Sequence, residues 1–245
     1  MEAIAHCPLQ QLTLVLCDEL ESNMFASLTR CSSTLTSLDI RYCPLHGLET
    51  RDTAQQAVAN LMALHHLTYF HIYSPEHDHS PFITALFVDL PSIAPWPELT
   101  YLDLYPCHDV TDSMAIALLQ AQPKLTHVGL CNSQITDNTL DAIVTYLPEV
   151  VEVEVIGNPG ITPDGLRRLV KAYRKLETVH CHSCEIYPED FPELDDSKMI
   201  VESGYDKEPP FQLFSLMGGA FDSGVISDTD AATDADVDLD ANNEQ

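Results

Sequence analysis

Leu99-Thr100-Tyr101-Leu102-Asp103-Leu104-Tyr105-Pro106-Cys107 places large apolar residues at its first, fourth and sixth positions and a cysteine at its ninth. The spacing returns along the chain, opening at Leu9, Leu35, Leu67, Leu99, Leu125, Val150 and Leu176, with steps of 26, 32, 32, 26, 25 and 26 residues. Positions three to seven alternate polar and apolar, the period of a strand that buries one face. A unit this short cannot close a core of its own. It buries its apolar edge against the units before and after it, which makes a stack of repeats. The reading is a right-handed α/β solenoid of about seven repeats of about 26 residues spanning 1–185.

A helix is predicted to return the chain in each repeat. Thr111, Thr136 and Thr162 stand where N-caps are needed, and Pro163 occupies the first helical position, where its missing N–H costs nothing. The helices that follow present Leu118, Leu140 with Ile143, and Leu166 with Leu169 toward the core. Two repeats run long. One holds an Ala-rich helix near 53–64; the other holds the Pro-rich stretch from Pro75 to Pro97, with a short helix that Ser80 and Pro81 can start. Such insertions are expected to form loops at the rim.

The chain carries 11 basic and 38 acidic residues, a formal net charge of −27. Residues 1–185 hold 9 basic and 22 acidic side chains, and 186–245 hold 2 and 16, so the excess is densest at the C-terminal end. This charge repels phosphate backbones and anionic bilayers, which argues against nucleic-acid and membrane partners. No apolar run is long enough to span a bilayer, and no basic leader precedes one. Eight cysteines without a secretory signal point to a reducing compartment, cytoplasmic or nuclear, with the thiols free. Cys17, Cys43, Cys107 and Cys184 take position nine, where a small thiol can turn inward and meet the backbone leaving the strand. Five of the nine basic residues of the repeat region, Arg167, Arg168, Lys171, Arg174 and Lys175, gather on one helix. They read as a solvated face or as a dock for acidic chain.

The cysteine at position nine, the 26-residue step and the phrases Val110-Thr111-Asp112, Ile135-Thr136-Asp137 and Ile161-Thr162 resemble the cysteine-containing leucine-rich repeats of F-box/LRR proteins over roughly 9–185. That resemblance implies substrate recognition in SCF-type ubiquitin-dependent degradation, with ubiquitin-ligase subunits among the partners. The family pattern is incomplete here: no F-box precedes the repeats, and Met1 lies eight residues before the first motif leucine. Two other acidic-tailed readings stand beside it, a small-GTPase-activating regulator with leucine-rich repeats and a chaperone of basic proteins.

The polar strand positions are expected to form a concave binding face. Its middle concentrates Asp39, Arg41, Tyr69, His71, Tyr73, Tyr101, Asp103, Tyr105 and His127. Tyrosine and arginine supply large contact area with a polar tip, the composition of binding hot spots, although tyrosines also suit strands and stack on one another. Asp103 and Arg41 are read as charged specificity elements flanking the rings. The expected partner is a protein, bound by a chain that is monomeric outside a complex.

Metal, cofactor and catalytic readings find little support. Cys181 and Cys184 occupy inward positions six and nine, with His180 and His182 facing the other way, and no second pair stands at zinc spacing. His77, Asp78 and His79 read as solvated loop residues, and the tail aspartates lack the glycine and glutamate of a calcium loop. There is no nucleophile elbow and no phosphate-binding glycine loop, so no enzyme is expected. Residues 186–221 read as an acidic, Pro-rich linker with an apolar patch from Phe211 to Met217. Residues 222–245, with eight acids and no aromatic residue, read as a disordered tail. Asp222-Ser223-Gly224-Val225-Ile226-Ser227 matches a doubly phosphorylated degron, with Ser223 and Ser227 as acceptors.

Overall fold

A computed structural model describes residues 8–187 and 190, apart from 19, 22, 75–78 and 94, with backbone only for 89–93. All of these belong to one compact unit, Met1–Phe214. The strands are β1 (Gln11–Val15), β2 (Leu20–Glu21), β3 (Ser37–Arg41), β4 (Leu45–His46), β5 (Tyr69–Tyr73), β6 (Tyr101–Tyr105), β7 (His127–Leu130), β8 (Glu152–Glu154) and β9 (Thr178–His180). The helices are α1 (Asn23–Leu28), α2 (Arg51–Met62), α3 (Ser80–Ile93), α4 (Asp112–Ala121), α5 (Asp137–Tyr146) and α6 (Pro163–Ala172). Seven strands form one parallel sheet in the order β1-β3-β5-β6-β7-β8-β9, while β2 and β4 pair separately. The architecture is an α/β solenoid of the leucine-rich-repeat type.

Register follows the motif without a slip. Leu12, Leu38, Phe70, Leu102, Val128, Val153 and Val179 pair in sequence as fourth positions; Leu14, Ile40, Ile72, Leu104 and Leu130 do so as sixth positions. Nearly all are buried. Leu118, Leu140, Ile143, Leu166 and Leu169 close the core from the helices. Each fully buried aliphatic side chain of this kind contributes roughly 1.5–3 kcal/mol, so the row along the sheet outweighs any single polar contact.

Polar side chains link one repeat to the next. Thr36, Thr68, Thr100 and Thr126, at position two, each donate their hydroxyl to the position-two carbonyl of the preceding repeat, Gln10, Thr36, Thr68 and Thr100 in turn. Position eight turns left-handed at Leu16, Tyr42, Asn132, Gly157 and Ser183. The ninth side chain turns inward there, where Cys43 donates to the Arg41 carbonyl and Cys184 to Val155; Cys107, which follows Pro106 and not a left-handed residue, donates to the Leu104 carbonyl. Asn158 replaces the thiol in one repeat, accepting from the Ser133 backbone N–H and hydroxyl and donating to the Leu130 and Val155 carbonyls.

The threonine caps divide. Thr136 and Thr162 accept from the backbone N–H of Asn138 and Gly165, whereas the Thr111 hydroxyl meets Ser113 instead. The aspartates after the first two reach across repeats: Asp112 accepts from Thr136, Asn138 and Thr139, and Asp137 from Thr162. Partial burial pushes the Asp112 carboxyl up, yet these hydrogen bonds outweigh it and hold the group below its usual range.

Two expectations are corrected. The helix expected from Ser80 and Pro81 in the long third repeat starts there but is not short: α3 runs 14 residues. Phe82, Phe87 and Trp96 from this region are buried, with Phe82 stacked on Phe25 and Trp96 against Phe70. Large aromatics gain more from burial than a loop would allow them. Cys17, expected buried, is only partly so; it lies in the first motif, whose strand β1 is at the edge of the described sheet. Among the described residues the cysteines are free. No described helix is long and apolar enough to cross a membrane. The linker and tail, with Ser223 and Ser227, lie outside the described residues except for Ile186, Tyr187 and Asp190.

Candidate protein-binding face

Odd positions of the strands project from the sheet face turned away from the core, in three parallel rows. The third-position row holds Tyr69, Tyr101 and His127 on β5, β6 and β7. Tyr69 stacks on Tyr101 at a ring separation of 4.2 Å, and Tyr101 stacks on His127 at 5.1 Å. The seventh-position row holds Tyr73 and Tyr105 at 4.9 Å, with Tyr42 meeting Tyr73 edge-on at 5.2 Å. These tyrosines and His127 are half-buried, apart from the more exposed Tyr42. Both strand chemistry and stacking are satisfied, and ring surface remains for a partner.

Between the aromatic rows runs a file of charges at position five: Asp39, His71, Asp103, then Gly129 and Glu154. His71 Nδ1 lies 3.0 Å from Asp39 and its Nε2 lies 3.2 Å from Asp103. Arg41 forks onto Asp39, with Nε at 2.9 Å from Oδ1 and Nη2 at 2.7 Å from Oδ2. Burial works against the His71 cation, but its bonds to Asp103 and the charge of Asp39 outweigh that and raise its pKa. The Arg41 guanidinium is likewise raised by its hydrogen bond to Asp39. At the far end Glu152 bridges His127 at 3.0 Å and His180 at 3.2 Å; the hydrogen bond from His180 leads in holding its carboxyl low.

All nine predicted face residues thus fall on the adjacent strands β3, β5, β6 and β7. Their roles differ from the sequence reading. Asp39, His71 and Asp103 are buried, and His71 bridges the two carboxylates, meeting Asp103 through Oδ2 and leaving its Oδ1 without a donor among the described residues. Arg41, at 44% side-chain exposure, remains accessible.

Glu154 and Gly129 were not singled out from sequence, and both matter. Burial first, then the neighbouring Asp103, pushes the Glu154 carboxyl up to about 7. The signal was present in the fifth positions read across repeats, Asp39, His71, Asp103, Gly129, Glu154 and His180, rather than along the chain. A pocket of about 200 Å³ opens there, lined by Tyr73, Asp103, Tyr105, Cys131, Glu154 and Ile156 among others. Donor atoms of Asp103, Cys131 and Glu154 lie within 4.8 Å of one another, as do those of Glu152, Glu154 and His180. Burial holds the Cys131 thiol well above its usual range, so it is no nucleophile. Cys181 and Cys184 are both buried in the core.

The basic helix is engaged with the repeat before it. Arg168 forks onto Asp141 at 2.8 and 3.1 Å, Lys175 reaches Glu149 at 2.6 Å, and Arg167 pairs with Asp164 at 2.7 Å within α6. The Arg168 and Lys175 pairs are exposed and link neighbouring repeats, and with α6 ending at Ala172, Arg174 and Lys175 lie beyond the helix, so less free charge gathers on one face than the sequence suggests.

No protein-family model matches the chain, and no curated protein matches it. Among solved structures it is similar to a chain of the Rad7–Elc1 complex of yeast, at 18% identity and a TM-score of 0.43, over 71% of this chain and 50% of that one. It is also similar to internalin C2 of Listeria monocytogenes, at 15% identity and a TM-score of 0.39, covering 70% of this chain and 80% of that one. A second internalin of that organism gives 13% identity and a TM-score of 0.37, over 74% of this chain and 57% of the other. The chain therefore spans half the length of the first of these.

Proposed function

We propose that this protein is a non-enzymatic recognition module that receives a segment of a protein partner on the sheet face lined by Tyr69, Tyr73, Tyr101 and Tyr105. The observation that carries the reading is the pair of half-buried aromatic rows standing on either side of a rigid, paired file of charges. Side chains already fixed by stacking and ion pairing lose little entropy when a partner arrives, which favours affinity per unit of contact. Neighbouring parallel strands lie ~4.8 Å apart, so the tyrosine rows and their flanks cover roughly 15 Å, enough for a peptide or one helix face. The setting we propose, substrate recognition in ubiquitin-dependent degradation in the cytoplasm or nucleus, rests on the resemblance of the repeats and motif cysteines to F-box/LRR proteins.

The test is quantitative capture of partners from cell lysate by the wild-type chain and by Tyr101→Ala/Tyr105→Ala. Losing hot-spot rings should cost roughly 2 kcal/mol or more of binding, about a thirtyfold drop in affinity. The core should hold, since both rings face away from it. An interactor set unchanged by the double substitution would overturn the reading. The proposed setting predicts, in the same experiment, recovery of ubiquitin-ligase subunits by both forms.

A further inference from the structure

The file at position five alternates in sign, breaks at Gly129, and resumes with Glu154 and His180. Asp39 is followed by His71 and His71 by Asp103, each pair in contact. The next strand contributes Gly129, with no side chain, and the one after contributes Glu154. Two carboxyl groups therefore face each other across a glycine with no cation between them. The glycine is needed for this: a Cβ there would lie 2.1 Å from Asp103 Oδ1, so that oxygen occupies the space above Gly129. Asp103 is 8% exposed, and its Oδ1 finds no hydrogen-bond donor among the described residues. A buried carboxylate oxygen is an acceptor only, and leaving it unmet is costly. Burial and then the neighbouring Asp103 make Glu154 retain its proton to higher pH, against the attraction of His180 on β9.

The space beside these two carboxyl groups has a shape as well as a charge. It is the pocket of about 200 Å³ whose other walls include the rings of Tyr73 and Tyr105 and the side chain of Ile156. We propose that this pocket takes the cationic side chain of an arginine or lysine presented by the protein partner, its charge lodging between Asp103 and Glu154 and its alkyl stem lying on Ile156 and the tyrosines. The inference rests on the partner-binding reading of this face and adds the chemistry of the partner's anchor. A guanidinium or ammonium supplies the donors that Asp103 Oδ1 lacks and restores the sign alternation at the one strand where it fails. Aromatic faces beside the charge add cation–π attraction, and an apolar wall accommodates the methylene stem. A divalent metal could use the same oxygens with Cys131 Sγ. It would leave most of the pocket unfilled and give Tyr73, Tyr105 and Ile156 no role.

The experiment uses the full chain at pH 8, where Glu154 is ionised. It is titrated separately with acetyl-arginine amide, acetyl-lysine amide, the neutral acetyl-norleucine amide and zinc chloride, with amide chemical shifts as the readout. At least one cationic amide should shift the Gly129 and Glu154 signals saturably, with affinity on the order of 1 mM, and the neutral amide should not. Glu154→Gln should weaken that binding at least tenfold while leaving the circular dichroism spectrum unchanged. Glu154→Lys, which tethers an ammonium beside Asp103, should abolish the binding and raise Tm. Equal response to the neutral amide, no response to either cation, or indifference to Glu154→Gln would each overturn the proposal. Zinc binding that Cys131→Ala removes, with no cationic-amide binding, would overturn it in favour of a metal site. The two readings fail separately. Loss of the cation pocket leaves a tyrosine-dependent capture standing, and a capture indifferent to the tyrosines leaves the cation titration standing.

Discussion

Across β3, β5 and β6 each buried charge of the central file meets an opposite one: Asp39 against Arg41 and His71, His71 against Asp103. Across β7 and β8 the same file has a glycine and then Glu154, with Asp103 beyond the glycine on one side and His180 in register on β9 on the other. The strands keep parallel register through both regions, and the contrast lies in how the carboxyl groups are buried and paired. Where the file is continuous, His71 bridges the carboxylates on both sides of it. Where Gly129 interrupts it, burial and then the nearby Asp103 outweigh the attraction of His180 and push the Glu154 carboxyl up to about 7. The first region is finished structure, and the second is chemistry held open.

The sharpest way to break this comparison is at His71. His71→Ala leaves Asp39 and Asp103 buried with their shared cation removed, and breaking a buried pair from one side costs about 3–5 kcal/mol. Urea denaturation of the full chain measures it. A loss below about 1 kcal/mol would mean that water already solvates the file, and the contrast between the regions would disappear.

Glu154 should behave in the opposite sense. Its folded pKa is about 7, against an ordinary value of 4.5. The native state therefore holds a proton that the unfolded chain releases between those pH values, and stability falls as pH rises through that window. Glu154→Gln removes the penalty and should stabilise the protein by about 1–3 kcal/mol at pH 8, with little effect at pH 4. Destabilisation at pH 8 would show that the carboxylate already has a partner.

The two groups together set the pH profile. The His71 contribution is fully present below about pH 6.5 and is lost as pH rises through its raised folded pKa. Glu152, held low chiefly by His180, contributes above its ordinary pKa and loses that contribution as pH falls. The wild-type Tm should therefore peak at about pH 5–6 and decline toward pH 8. Glu154→Gln should flatten the decline without removing it, since His71 still titrates. A Tm that rises from pH 6 to pH 8 would contradict both assignments.

The sequence reading recovered what the period controls. Knowing that Leu102 and Leu104 face inward places Tyr101, Asp103 and Tyr105 on the other face, and one register then aligns them with Tyr69, His71 and Tyr73. It missed what the period does not encode. Residues 75–97 match no copy of the motif, so their aromatic content gave no sign of how far α3 would extend. The threonines at position two look like ordinary polar strand residues until the preceding carbonyl is seen to need a second donor. Gly129 is invisible as a functional residue because its contribution is room for the carboxylate of another strand. Charge pairing across strands decides which polar side chains are free, and it appears only when fifth positions are compared between repeats.

The smallest expected effect tests whether burial, rather than pairing as such, gives the His71 file its weight. Lys124 and Glu98 approach to 2.6 Å, closer than either contact of His71, yet their side chains are 54% and 62% exposed. Water screens that attraction, and holding two long side chains in one geometry costs rotamer freedom, so Lys124→Ala should change stability by less than about 0.5 kcal/mol. The change should shrink further in 1 M salt, where the screening length falls to about 3 Å. The cost of His71→Ala should persist there, because the loss is the burial of uncompensated carboxylates and not a long-range field. Were the two substitutions to cost the same, or to respond equally to salt, distance would be the governing variable. The open position at Gly129 would then carry no more energetic meaning than any gap on the surface.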